Sequence, residues 1–176
     1  MDGHGYTQSF DIRMDPRVTT SAAGLEAQFA LARKIAAAMN SSDDALRAAQ
    51  ALNAKLAALK GNARAAAVAP SIESLERKLT AIAGGGPGMS SYFGLSGGPS
   101  LSGVNVELGM LLIGGEQNGG VEGADVAPTV VQQQAFDELN GELDRLLATW
   151  KEIQATEVPA LNRQLRQAGV PEVTGK

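Results

Sequence analysis

The hydrophobic positions of the chain alternate with polar ones over residues 6–14 and then change to helical spacing. In the first stretch every second residue falls on one side, and that side carries the large apolar side chains Tyr6, Phe10, Ile12 and Met14. A period of two is typical of a half-buried β-strand. We therefore predict a β-strand over 6–14, ended by Asp15-Pro16, within an N-terminal unit of residues 1–18.

No other segment of the sequence clearly reads as a partner for this strand. Unpaired backbone N–H and C=O groups are costly, and a sheet needs at least two strands. We expect the partner strand to come from sequence that precedes Met1 or from a second copy of the chain, and we favour truncation. The predicted interaction residues are Tyr6, Phe10, Ile12 and Met14. A chain expressed alone is expected to form a homo-oligomer through them.

Apolar residues spaced by three and four predict three helices within residues 19–83. The first covers about 20–40 and places Phe29 in its apolar stripe. Ser42 is a good N-cap and predicts the start of a second helix, which Lys60-Gly61 ends. Pro70-Ser71 opens the third helix, and a run of glycines stops it.

The rest of the chain predicts a Gly/Ser-rich flexible loop over 84–103 and further helices over 104–170. A short helix comes first, and a long one follows Thr129. Thr156 is predicted to cap a final helix that Gly169 and Pro171 end, which leaves residues 171–176 as a tail. The predicted fold is mainly α, an antiparallel bundle of three to four long helices plus a short helix. It is preceded by the orphan strand and interrupted by the Gly-rich loop.

Composition argues against several partners. The net charge is -4, so the chain lacks the excess of positive side chains that neutralises phosphates. Only 4% of residues are aromatic, so few rings are present to stack on bases. No nucleic-acid role is predicted. The longest apolar run, Met110-Leu111-Leu112-Ile113, is far shorter than a membrane span. The N-terminus lacks a signal-peptide pattern, and cysteine is absent. No membrane partner and no cofactor is predicted.

Two residues are candidates for catalysis. Ser96 lies in Gly94-Leu95-Ser96-Gly97-Gly98, which fits the G-x-S-x-G pattern of a hydrolase nucleophile elbow. The pattern requires a helix to follow, and Pro99 is unsuited to start one there. His4 is the single histidine and would have to act as the general base. The simpler interpretation is a Gly/Ser loop that matches a short pattern by chance.

Two further sets of polar residues have a simple interpretation. His4 could bind a metal ion with Asp2 or Asp11, but stable sites usually need three or four converging ligands, so no metal site is predicted. Glu138 and Glu142 lie one turn apart, as paired carboxylates of a glycosidase could, but along one helix edge they form a solvated face.

Several motifs resemble the extreme C-terminus of large bacterial exported proteins of the glycosyl hydrolase or sortilin-like β-propeller type. They are Met14-Asp15-Pro16-Arg17-Val18 before an alanine-rich helical pair, Gly123-Ala124-Asp125 leading to Pro128-Thr129, and Val158-Pro159-Ala160-Leu161-Asn162. The resemblance implies that the strand closes a small β-sandwich and that a propeller lies upstream. It would place the parent protein in the periplasm or outside the cell. None of the propeller's own binding or hydrolytic residues lies in this chain, so none is carried over.

The leading hypothesis is a non-catalytic helical module that packs on or links neighbouring domains of such a protein. Its partners would be those upstream domains or a second copy of itself. The alternative hypothesis is a weak hydrolase of ester, phosphoester or glycoside substrates that uses Ser96, or His4 with nearby carboxylates. A further alternative is an adaptor whose helical stripes bind a partner helix.

Overall fold

The computed structural model describes residues 5–84, 99–113, 120–122 and 125–174, and these residues form a helical bundle. The helices are, in chain order, α1 (Ala22–Leu59), α2 (Ala69–Ala83), α3 (Leu101–Ile113), α4 (Val130–Glu152) and α5 (Val158–Gln167). A 3₁₀ turn, Ala63–Val68, leads into α2, and a π-helical turn, Ile153–Glu157, joins α4 to α5. The predicted mainly α bundle is confirmed.

Two long rods define the bundle. One is α1, whose 38 residues give it a length of about 57 Å, and the other is α4 continued by α5. They run in the same direction, since Thr20 before α1 donates to the carbonyl of Asp125 before α4, and Lys55 near the end of α1 donates to the carbonyl of Thr174 after α5. The shorter helices α2 and α3 run the opposite way along α1. Both α2 and α3 contact α1. Helix α3 begins beside Ser42 and the segment after it reaches Gln28, so α3 lies along the first half of α1.

Helix α1 is continuous where the sequence predicted a break at Ser42. The prediction of an N-cap at Ser42 was wrong, because this side chain is fully buried and its Oγ donates to the Leu101 carbonyl of α3 at 2.7 Å. No glycine or proline interrupts the alanine-rich segment around it, so the helical backbone continues. The predicted cap residue is therefore a cross-link between two helices.

Helix α3 is the most apolar helix of the bundle and lies against both α1 and α4. Leu101 and Leu108 are fully buried, and Asn105 donates from Nδ2 to the Met39 carbonyl of α1 at 2.8 Å. The helix begins at Leu101, so the predicted loop boundary at 103 was wrong. Burial of Leu101 against the bundle, together with Ser100 Oγ accepting from the Gly103 amide, starts the helix three residues earlier.

The second rod passes through a π-helical turn where the sequence predicted a new helix capped by Thr156. That prediction was wrong, because Thr156 is exposed within Ile153–Glu157 and caps nothing. The Val158 amide bonds to the Ile153 carbonyl, five residues back. Pro159 accounts for the widening, since it has no amide hydrogen and its ring would clash with the carbonyl four residues earlier. The wider turn also keeps Ile153 and Val158 on the same buried side.

The C-terminal segment after α5 is fastened to the bundle. Gly169 ends the helix with a φ of 68°, a conformation that suits glycine. Val173 is buried, and Asn162 binds its backbone twice, donating from Nδ2 to the carbonyl and accepting the amide at Oδ1, both at 2.8 Å. Within the predicted tail of residues 171–176, the described residues, which end at Thr174, are therefore held on the bundle.

The predicted β-strand over 6–14 is not formed. Within the described residues there is no strand, and residues 5–14 make no backbone hydrogen bond to the rest of them. A strand is completed by the neighbour that shares its hydrogen bonds, and the described part of the chain supplies none. The prediction that the segment is half-buried was wrong as well, because residues 5–17 are all exposed.

We predict that Ser42→Ala destabilises the fold by about 1 kcal/mol relative to Ser41→Ala, the typical net value of one hydrogen bond. Ser41 is a matched control, because it is exposed on the same helix and bonds only to the Ala37 carbonyl of its own turn. The gain in helix propensity is the same in both variants. Urea unfolding measures the difference, and equal free energies of unfolding would contradict the cross-link.

We predict a larger loss, about 2 kcal/mol, for Asn162→Ala, because the buried amide and carbonyl of Val173 would both lose their partner. The control is Asn140→Ala on α4, whose side chain makes one exposed hydrogen bond to Asp144 at 3.3 Å. Thermal and urea unfolding of both variants are compared with those of the unsubstituted chain. A loss at Asn162 no greater than at Asn140 would show that the C-terminal segment is not held in this way.

Candidate interaction surface

Residues 5–18, which we call the N-terminal arm, precede the bundle and pack little against it. Tyr6 is 94% exposed and Ile12 is 89% exposed, and Phe10 and Met14 are exposed as well. These are the four residues that the sequence predicted as an interaction site, and the structure places them all in solvent. Large apolar side chains are normally buried, so an exposed group of them marks a surface that gains free energy by being covered.

The polar side of the arm carries charges of both signs. Asp11 and Arg13 lie 3.7 Å apart, and both side chains are more than four-fifths exposed. Residues two apart share a side in an extended chain, so this contact agrees with the period of two in the sequence. The arm therefore presents an apolar side and a charged side while its backbone groups are free to bond.

A turn separates the arm from the bundle. The Val18 amide donates to the Asp15 carbonyl at 3.0 Å, and the Arg17 amide donates to Asp15 Oδ1 at 2.9 Å. The Arg17 side chain donates to the Asp15 carboxylate, and this hydrogen bond lowers the pKa of Asp15 from its ordinary value. Pro16 at the centre of the turn lacks an amide hydrogen. A strand formed by the arm would thus end at residue 14.

A second exposed apolar group lies on the bundle, at the end from which the arm leaves. It consists of side chains at the start of α1, the end of α3 and the start of α4, and we call it the apolar end: Phe29, Met110, Ile113, Val126, Val130 and Val131. The start of α1 and the end of α3 are joined there through Val121, since Gln28 donates to the Val121 carbonyl and the Val121 amide to the Leu111 carbonyl. The segment before α4 is joined to the segment before α1 by the bond from Thr20 to the Asp125 carbonyl. In the described part of the chain, the exposed large hydrophobic side chains all belong to the arm or to this end.

The sequence analysis did not identify the apolar end. It placed Phe29 in the inward stripe of the first helix, but the ring is 65% exposed and Arg33 lies over it at 5.8 Å. One available signal was the pair Val130-Val131 directly after the capping residue Thr129. Adjacent residues of a helix are about 100° apart, so two neighbouring valines at a helix start do not both face a narrow core stripe.

The structure describes only some of the residues that were considered as candidates for catalysis or metal binding. His4 and Ser96 lie outside the described residues. Glu138 is exposed on α4, whereas Glu142 is half-buried. Among the described residues, no three His, Asp or Glu side chains come together as metal ligands would.

The class of protein that the geometry defines is a helical bundle with an exposed apolar arm. Comparison with family models, with curated proteins and with solved structures gives no match for the chain. No helix in the described ranges combines the length and the apolar character needed to cross a membrane.

We predict that chymotrypsin cuts at Tyr6 and Phe10 at least about tenfold faster than at Phe29, because cleavage requires an extended backbone that a helix must unfold to provide. Phe29 is an internal control, since its ring is exposed to a similar degree but its backbone is in α1. Mass spectrometry of timed digests gives the order of cuts. Early cleavage at Phe29, or resistance at Phe10, would contradict an accessible arm.

Proposed function

We propose that the chain is a non-catalytic interaction module that attaches to a sheet-containing neighbour through its N-terminal arm. The observation that carries the proposal is an apolar segment with a period of two whose side chains and backbone are both unpartnered within the described residues. Adding an extended segment to an open sheet edge satisfies both at once. Main-chain hydrogen bonds then give affinity, and alternate side chains give specificity.

The distribution of burial supports a docking role for one end of the molecule. The helical stripes of the bundle are covered by one another along both rods, from Leu31 to Leu56 on α1 and from Phe136 to Leu165 on α4 and α5. The exposed apolar side chains are concentrated where the arm leaves. A neighbour bound to the arm would lie close to the apolar end and could cover it too.

The resemblance of the arm and the helices to the C-terminus of exported propeller proteins suggests the neighbour. We propose that it is a small β-sandwich domain upstream of the chain, whose sheet the arm completes, and that the whole protein acts outside the cytoplasm. In such a protein the bundle would serve as a helical scaffold at the C-terminal end.

The test compares amide hydrogen exchange of residues 6–14 in two proteins, the complete product of the gene and the 176-residue chain. The isolated chain is measured at about 1 μM, where a self-association with a Kd of about 10 μM or weaker is largely dissociated. We predict that exchange in the arm is at least about 100-fold slower in the complete protein, because strand pairing protects amide groups.

The amides of α1 are the control and should exchange alike in both proteins. Equal, fast exchange of the arm in the complete protein would contradict docking. A gene whose product carries no sheet domain before Met1 would contradict the proposed neighbour.

A further inference from the structure

The arm has the sequence needed to pair with itself. We infer that the strand that binds the arm of the isolated chain is the arm of a second copy, antiparallel and with Ile12 opposite the partner's Ile12. This inference rests on the proposed function, because it assumes that the arm docks by forming a strand. It adds the identity of the occupant and the register.

Charge complementarity selects a second copy in this register. Residues directly opposite in an antiparallel pair lie on the same side of the sheet, about 4.5–5.5 Å apart. With Ile12 at the centre, Asp11 lies opposite the partner's Arg13, and symmetry repeats the pair. Both side chains are more than four-fifths exposed and lie on the same side of the arm, and the 3.7 Å contact between them is in solvent, so the charges of a partner can replace it.

The neighbouring registers bring like charges together. A shift of two residues toward the N-terminus places Asp11 opposite the partner's Asp11, and the same shift the other way places Arg13 opposite the partner's Arg13. An odd shift places apolar residues opposite polar ones. A parallel pair in register stacks both like charges. Each of these arrangements lacks the two attractive contacts.

Larger shifts fail for a different reason. A register centred on Phe10 leaves Asp11 opposite the partner's Ser9, without a charged partner. A register centred on Met14 would pair Arg13 with the partner's Asp15, but it needs residues 15–17 in an extended strand. They are held instead in the turn closed by the Asp15 carbonyl, where Pro16 has no amide hydrogen to donate.

The apolar side of the arm fits the same register. Phe10 lies opposite the partner's Met14, on either side of the central Ile12 pair, so three apolar contacts line one side of the ribbon. A two-stranded ribbon is marginal by itself and needs an apolar surface to pack on. The arm leaves the bundle beside the apolar end, near the contact of Thr20 with the Asp125 carbonyl, so such a surface is within reach of the ribbon.

The first part of the test reverses one charge at a time and measures the sedimentation of the full chain at concentrations from about 10 μM to about 1 mM. Asp11→Arg alone and Arg13→Asp alone each replace two attractive contacts with two repulsive ones, and we expect the dimer to dissociate at least about tenfold more readily. An equal mixture of the two variants restores both contacts in a heterodimer. We expect that mixture to associate as tightly as the parent chain, within about threefold.

The second part of the test uses disulfide cross-linking. The chain contains no cysteine, so a disulfide can form only between the introduced cysteines. In the inferred register Phe10 faces the partner's Met14. Oxidation of an equal mixture of Phe10→Cys and Met14→Cys should therefore give the mixed disulfide as the main product, and each variant alone should cross-link slowly. The masses of the two variants differ, so mass spectrometry separates mixed from identical pairs.

Each result decides a different point. Rescue by the charge mixture together with the mixed disulfide supports the inference. A dimer in which Phe10→Cys cross-links with itself, or which the charge variants leave unchanged, overturns the register. A chain that stays monomeric up to about 1 mM overturns the second copy as occupant, while the proposed function is judged separately by exchange in the complete protein.

Discussion

The burial of α3 between the two rods is the interaction on which the rest of the structure depends. Helix α3 has few polar positions, so outside the bundle it would expose apolar side chains on most of its surface. In place, Leu101, Val104 and Leu108 are buried against α1 and α4. The first halves of the two rods contact this helix as well as each other, and loss of its position would uncover the core of both.

Apolar packing alone leaves a helix free to slide, because leucine and alanine surfaces offer similar contacts at several positions. Two directional bonds remove that freedom. Ser42 of α1 binds the Leu101 carbonyl and Asn105 of α3 binds the Met39 carbonyl, so each helix supplies one donor. Their acceptors are main-chain carbonyls, whose spacing a side-chain substitution does not change. The register of α3 on α1 follows from this pair.

The sequence predicted the helices well where their boundaries depend on local chemistry. Thr129 and Gln132 form a capping box at the start of α4, and glycine with positive φ follows α2 and α5, as their residue types indicate. Two of the errors concern Ser42 and Thr156, which were predicted as helix caps. A hydroxyl side chain can cap the start of a helix or form a hydrogen bond from inside one. Which of the two it does depends on what packs against it. For Ser42 that is α3, which is 59 residues away in sequence.

The candidate interaction surface shows what sequence periodicity does not predict. The alternation over residues 6–14 indicated four large apolar residues as an interaction site, and the structure exposes all of them. It did not determine whether a strand forms, because strand formation is a property of a pair of segments. The apolar end was missed because its members come from three helices and no single periodicity contains them.

The arm also has to avoid uncontrolled association, since an exposed apolar strand is a template for aggregation. Two features of its sequence restrict what it can bind. The turn at Asp15 and Pro16 limits a strand formed by the arm to about nine residues, roughly 30 Å, and in a two-fold pair centred on Ile12 residues 10–14 of the two copies lie opposite each other. Asp11 and Arg13 penalise any neighbour that places a like charge opposite them. A two-fold pair centred on Ile12 satisfies both restrictions and uses the same charged side of both copies, so association through those contacts closes at two molecules.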